Sequence, residues 1–289
     1  MEQSGGAAGL ARKAWSLAAP ILALNVPRLA AALTYYTVLS LVPGLLVMVA
    51  LLGVAGLSAD TLQSLVDALN DLGATWAVDF VTQAIDTVVR SHSTTLALVV
   101  GAVLALWAAS GYVGCFMWTA DVVNEAKTMR PIWRDLPVRI PLAVGLLVLL
   151  TLTAVALTFL GPAGSAIQEA TGIGNGPLHL WTWVKWPLLA ALSLLMIGLL
   201  FRFAPSRPRK GLLPLLGGAV TTLAAWVIAT AVFGFYLTDW ASYDRVYGAL
   251  ATAIAFLVWA WVLNIALLAG AIVDREIRRR RAAAGARGA

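Results

Sequence analysis

Charge is what this sequence has least of. Only 12% of its 289 residues are Asp, Glu, Lys or Arg, about half the share usual in water-soluble domains. That supply excludes an ordinary soluble surface, and the 61% hydrophobic content points to a polytopic membrane protein. Cysteine is scarcer still. Cys115 stands alone, which excludes an intrachain disulfide, a CxxC redox pair and a thiolate zinc site. It reads as a small buried hydrophobe in an apolar run. His92 and His179 are the two histidines. A metallo-nuclease needs clustered His and Asp ligands to hold a metal and generate hydroxide. The chain also lacks a Walker motif, so it cannot hydrolyse ATP by that route. No catalytic residue, metal site or cofactor is expected.

What is present is long apolar runs. A helix needs about 20 mostly apolar residues to cross a bilayer, and six segments qualify: 30–56, 94–118, 138–160, 181–203, 212–237 and 246–273. The fold class expected is all-α, a six-span membrane domain over 30–273. It is preceded by an interfacial segment at 1–29 and followed by a basic tail at 274–289. Within 1–29, residues 14–28 read as a short interfacial helix, because Pro20, Asn25, Pro27 and Arg28 interrupt a signal-like run. In the fourth span, "LWTWVKWPLL" suits an aromatic belt with Lys185 snorkelling.

The Lys and Arg residues sort by loop. Arg12, Lys13 and Arg28 precede the first span; Lys127, Arg130 and Arg134 follow the second; Arg207, Arg209 and Lys210 follow the fourth. The tail carries Arg275, Arg278–Arg281 and Arg287. The intervening loops are poor in positive charge, and 57–93 holds Asp60, Asp67, Asp71, Asp79 and Asp86 against Arg90 alone. By the positive-inside rule both termini are cytoplasmic. This distribution also accounts for the pI of 9.8 without nucleic acid. No aromatics interleave with the tail arginines to stack bases, and the tail suits anionic lipid instead. Loop 57–93 shows apolar residues at helical spacing (Leu62, Leu65, Val66, Leu69, then Val78, Val81, Ile85, Val88), which predicts two amphipathic helices on the outer surface. Their aspartates form either a solvated face or an acidic mouth.

Two short stretches are unusually polar for their setting. "AALTYYTVLSLVPGLL" (31–46) places Tyr35, Tyr36, Thr37 and Ser40 ahead of Pro43. Pro43 cannot donate to the carbonyl of Leu39, and freed backbone groups in a membrane need protein or water partners. The stripe is therefore either packing glue between helices or the lining of a kinked, wet path. "SYDRVYG" (242–248) places Tyr243, Arg245 and Tyr247 in a short outer loop. This is either an aromatic belt with a helix cap or a cationic mouth for a lipid headgroup or anionic solute. "GAVLALWAASGYVGCF" (101–116) and "GAVTTLAAWVIATAVFGF" (218–235) share a faint similarity, as inverted repeats would.

These motifs resemble those of the YihY/virulence-factor BrkB family. The family's "AAxAYYxxLSLxP" is similar to Ala31–Pro43. Its "SGxxG", Asn and "RPxW" are similar to Ser110-Gly111 with Gly114, Asn124, and Arg130-Pro131-Ile132-Trp133. Its "YRFxP" is similar to Phe201–Pro205, its Gly-Ala followed by Trp to Gly218-Ala219 and Trp226, and its "SYxxVYGxL" to Ser242–Leu250. The resemblance covers about residues 25–276 and implies a six-span, multi-pass protein of the bacterial plasma (inner) membrane. Where the family often has "GAEL", this chain has Gly270-Ala271-Ile272-Val273, so no role for that acidic group carries over. Gly217 stands where the family commonly has proline. The ribonuclease label some members carry finds no support in these residues.

The leading functional expectation is a transporter-like protein handling a lipid or amphipathic envelope component. Its path would use Tyr35, Tyr36, Thr37, Ser40, Pro43, Asn124, Trp226, Tyr243, Arg245 and Tyr247. The expected partners are membrane lipids, anionic ones included, with a homo-oligomer left open and nucleic acid excluded. The second expectation is a non-transporting scaffold for envelope-synthesis or virulence-related proteins. A membrane-embedded enzyme ranks third, for want of a catalytic cluster.

Overall fold

The computed structural model describes residues 24–54, 94–126, 131–160, 176–206, 213–238 and 249–287. They form six helices: α1 Val26–Val54, α2 Thr94–Val123, α3 Ile132–Leu160, α4 Gly176–Phe203, α5 Leu213–Thr238 and α6 Ala249–Arg287. Five of them, α2 to α6, contain stretches long and apolar enough to cross a membrane. α1 has 29 residues, or about 43 Å at 1.5 Å per residue. A helix suits this environment because it satisfies every mid-span backbone group internally. The amphipathic helices expected within 57–93, and the interfacial helix expected at 14–28, fall largely or wholly outside the described residues.

Each helix packs on the next in sequence, and α6 returns to pack on α1, so the six form a closed ring. Contacts at the helix ends fix their directions. Asp121 near the end of α2 accepts a hydrogen bond from Ser206 just beyond α4, and Arg275 of α6 donates to the carbonyl of Val123. The indole of Trp261 on α6 bonds the carbonyl of Pro27 at the start of α1, and Gly218 near the start of α5 lies against Asp274. The starts of α1, α3 and α5 thus share one end with the later parts of α2, α4 and α6. The helices alternate in direction, and the described basic residues Arg134, Arg275 and Arg278–Arg280 lie at that shared end.

The described core sits toward this basic end. Leu33, Val113, Phe116, Ile197, Phe201, Leu267 and Leu268 are all but fully buried. Phe116 and Phe201 stack with centroids 6.3 Å apart and planes 8° off parallel. They come from α2 and α4, which are not sequential neighbours, so the stack fills the ring at this level. α5 and α6 approach closely through glycine. A Cβ at Gly218 would stand 2.7 Å from the carbonyl oxygen of Gly270, and one at Gly270 would collide with the hydroxyl of Thr222. Small residues four apart allow this approach, as in other membrane helix pairs.

Several helices outrun the expected spans: α1 begins at Val26 and not 30, α2 runs to Val123 past 118, and α4 begins at Gly176 before 181. α3 begins at Ile132, six residues before 138, and α6 runs through Arg287. In α6 the ion pairs Asp274–Arg278 and Glu276–Arg280, both four residues apart, extend the helix past its apolar stretch.

Candidate functional site

The polar face of α1 is tied to its neighbours through Asn264, a buried amide on α6. Its Nδ2 donates to Ala260 O at 2.9 Å and lies 3.3 Å from Thr34 Oγ1 and 3.4 Å from Thr37 Oγ1. Its Oδ1 accepts from the hydroxyl of Tyr112 on α2 at 3.1 Å. Thr34 and Thr37 also donate to Ala30 O and Leu33 O, and Ser40 to Thr37 O. Three helices are therefore stitched at one level by hydroxyls and one amide, the interhelical glue common in membranes.

Next to this network the "SGxxG" residues of α2 acquire a physical reason. The ring of Tyr36 lies against Gly111, where a Cβ would stand 2.8 Å from Cδ1. The guanidinium of Arg139 on α3 lies against Gly114, where a Cβ would stand 2.7 Å from Cζ. Arg139 Nε donates to the carbonyl of Ser110 at 2.6 Å. Gly111 and Gly114 are three apart and share a face of α2. Arg139 lies inside the apolar stretch Trp133–Thr153, seven residues past the start of α3, and a charged side chain within a span is a candidate functional group by position.

A second cluster closes the basic end. α2 ends in a Schellman motif: Glu125 N donates to Val122 O and Ala126 N to Asp121 O. Glu125, not glycine, takes the left-handed position, with φ 52°. That conformation aims its carboxylate at Arg275 and at Arg279, the latter at 2.8 Å. The hydrogen bond from Arg275, with the charges of Arg275 and Arg279, holds the Glu125 carboxyl below the usual glutamate range. Arg278 donates to Asn124 Oδ1 at 2.9 Å and pairs with the buried Asp274 at 3.3 Å. Asp121 accepts from both the amide and the hydroxyl of Ser206.

The residues expected from sequence divide among these places. Tyr36, Thr37 and Ser40 are half-buried on α1 beside α2 and α6, and Pro43 is half-buried further along; Tyr35 is 63% exposed and edge-on to Tyr36. Asn124 belongs to the basic-end cluster. Trp226 donates from α5 to the carbonyl of Leu263, the residue before Asn264. Tyr243, Arg245 and Tyr247 lie outside the described residues. Sequence reasoning missed Asn264, Tyr112, Arg139 and Asp274. An Asn or Arg in an apolar run was the available signal for two of them. Among the described residues, no three His, Cys, Asp or Glu side chains group as a metal site would require.

The family model for virulence factor BrkB matches residues 21–289. The chain belongs to that family. It is 22% identical over 251 residues to YfkH, a ribonuclease-like protein of Bacillus subtilis, covering 87% of this chain and 90% of that one. It is 28% identical over 271 residues to a UPF0761 membrane protein of Neisseria meningitidis serogroup C, covering 91% of this chain and 62% of the other. A UPF0761 membrane protein of Chromobacterium violaceum is 33% identical over 117 residues, covering 34% of this chain and 27% of its own length. The chain thus spans less than two thirds of these two UPF0761 proteins. No solved structure matches. Family and helices together make it a multi-pass membrane protein.

Proposed function

We propose that this BrkB-family protein is a non-enzymatic, transporter-like membrane protein that handles an anionic lipid or amphiphilic envelope component. One observation carries the reading. The carboxylates of the six helices, Asp121, Asp135, Asp274 and Glu276, all lie toward the basic end, and no Asp or Glu occurs in 26–54, 94–120, 136–160, 176–203, 213–238 or 249–273. Cation-coupled carriers usually place a carboxylate at mid-membrane. Within these stretches the charged side chains are all cationic, Arg28, Arg139, Lys185 and Arg202, beside hydroxyls and the Asn264 amide. That surface repels no anion and suits a phosphate-bearing headgroup whose tails stay in the bilayer.

The stacked Phe116 and Phe201 support a state closed at the basic end. The basic residues gathered there support cytoplasmic termini, and the family resemblance supports a bacterial inner membrane. Arg245 with Tyr243 and Tyr247 would receive the headgroup at the opposite face. Losing a charge-assisted contact costs about 1.5–3 kcal/mol, roughly tenfold to a hundredfold in affinity. A photoactivatable anionic lipid should therefore crosslink to the protein in vesicles, less to Arg245→Ala and undiminished to Lys185→Ala. Equal crosslinking of both variants would remove Arg245 from the path. The scaffold reading has one observation in its favour: Thr34, Thr37 and Tyr112 already find partners in Asn264, as packing glue would.

A further inference from the structure

We infer that the lipid-facing side of α2 carries an anionic-lipid headgroup site centred on Arg139, entered sideways from the bilayer. It rests on the lipid-handling reading above and names a place for it. Trp107, Gly111, Gly114 and Trp118 are spaced four, three and four apart, which puts them on one helical face. The two tryptophans are 66% and 45% exposed. Between them the glycines let two side chains pack directly on the α2 backbone. Tyr36 of α1 leans over Gly111, and Arg139 of α3 leans over Gly114. α3 also approaches α1 directly, so the two side chains lie over the same face of α2, between the exposed tryptophans.

The chemistry of this face specifies its occupant. A guanidinium has five N–H donors. Arg139 uses Nε on Ser110 O, and among the described residues its four terminal N–H groups and the Tyr36 hydroxyl have no hydrogen-bond partner. Arg139 lies six residues along α3 from the exposed Trp133, about 9 Å by helical rise. A cation at that depth is stabilised by an anion that can reach it through hydrocarbon. A phospholipid meets this requirement: its headgroup offers oxygens for a fork of donors, and its chains lie against Trp107 and Trp118.

The test uses full-length protein in nanodiscs of phosphatidylcholine with or without phosphatidylglycerol, reading lipid retained after extraction by native mass spectrometry. Arg139→Gln should lose retained phosphatidylglycerol about tenfold, and Arg139→Lys should recover part of it. Gly114→Ala keeps every charge but displaces the guanidinium, so it should lose retention too. Arg280→Gln removes the same charge from an exposed i,i+4 pair on α6 and should retain lipid normally. Thermal midpoints in phosphatidylcholine alone separate binding from folding; should Arg139→Gln not fold, Arg139→Lys and Gly114→Ala decide. Retention in Arg139→Gln or Gly114→Ala equal to that in Arg280→Gln overturns the site. Inorganic phosphate displacing the lipid as well as short-chain phosphatidylglycerol does overturns the lipid assignment. Arg139-dependent retention without lipid movement by the unaltered protein would keep the site and defeat the transport reading.

Discussion

The hydroxyl of Tyr112 donates to the side-chain oxygen of Asn264 across 3.1 Å, joining α2 to α6 at the level where Asn264 also meets Thr34 and Thr37 of α1. Interhelical hydrogen bonds in membranes are worth about 0.6 kcal/mol on average and up to roughly 1.7. Tyr112→Phe should therefore lower stability by under about 1 kcal/mol. Asn264→Ala, which strips the whole network, should cost more than Tyr112→Phe. Denaturant titration in detergent reads both; equal stability of Asn264→Ala and the unaltered protein would show that the network does not hold the ring.

The α5–α6 seam makes a steric prediction. Alanine at Gly270 meets the Thr222 side chain and stands 2.8 Å from the carbonyl oxygen of Gly218. Gly270→Ala should destabilise by about 1–3 kcal/mol. Thr222→Ala should relieve it only in part, because the backbone oxygen remains. Full rescue, read by thermal melting of the double variant, would mean that the backbones are not in close contact.

Glu125 separates backbone strain from ion pairing. Glu125→Gly relieves a left-handed conformation costing about 1–2 kcal/mol while losing the pairs to Arg275 and Arg279; Glu125→Ala loses the pairs and keeps the strain. Glu125→Gly should melt above Glu125→Ala. Because its folded carboxyl titrates below the ordinary value of about 4.3, the pairing is fully present above that value and is lost as pH falls through the lower folded one. The melting difference between the unaltered protein and Glu125→Gln should be flat above about pH 5 and shrink below it.

Topology gives a prediction that does not depend on activity. In a Cys115→Ala background, Asp67→Cys and Asn175→Cys should react with an impermeant thiol reagent added outside cells, and Arg209→Cys should not. The reverse pattern would invert the bundle.

Much of this architecture was legible in the chain because the signals are long and redundant. Twenty-residue apolar runs mark helices long enough to span whatever their packing, and five of the six described helices carry such a stretch. The site was less legible. Thr37 and Ser40 announced a polar face on α1, but its partner Asn264 is a lone amide in an apolar helix, and no local pattern says which helix it meets. Gly111 and Gly114 stood out only through their likeness to the family's "SGxxG"; packing shows that Tyr36 and Arg139 lie over them. Asp274 read as the start of a soluble tail because hydropathy changes there. The helix continues, and the residue faces Gly218 at the close crossing.

Lipid movement is the most direct test of the central claim. Purified protein in liposomes carrying a headgroup-labelled anionic lipid, quenched from outside by an impermeant reductant, reports transfer between leaflets. The account predicts transfer with the unaltered protein and slower transfer with Arg245→Ala, while Lys185→Ala behaves as the parent. No transfer above protein-free liposomes, under any imposed ion gradient, would contradict it and leave the protein a scaffold.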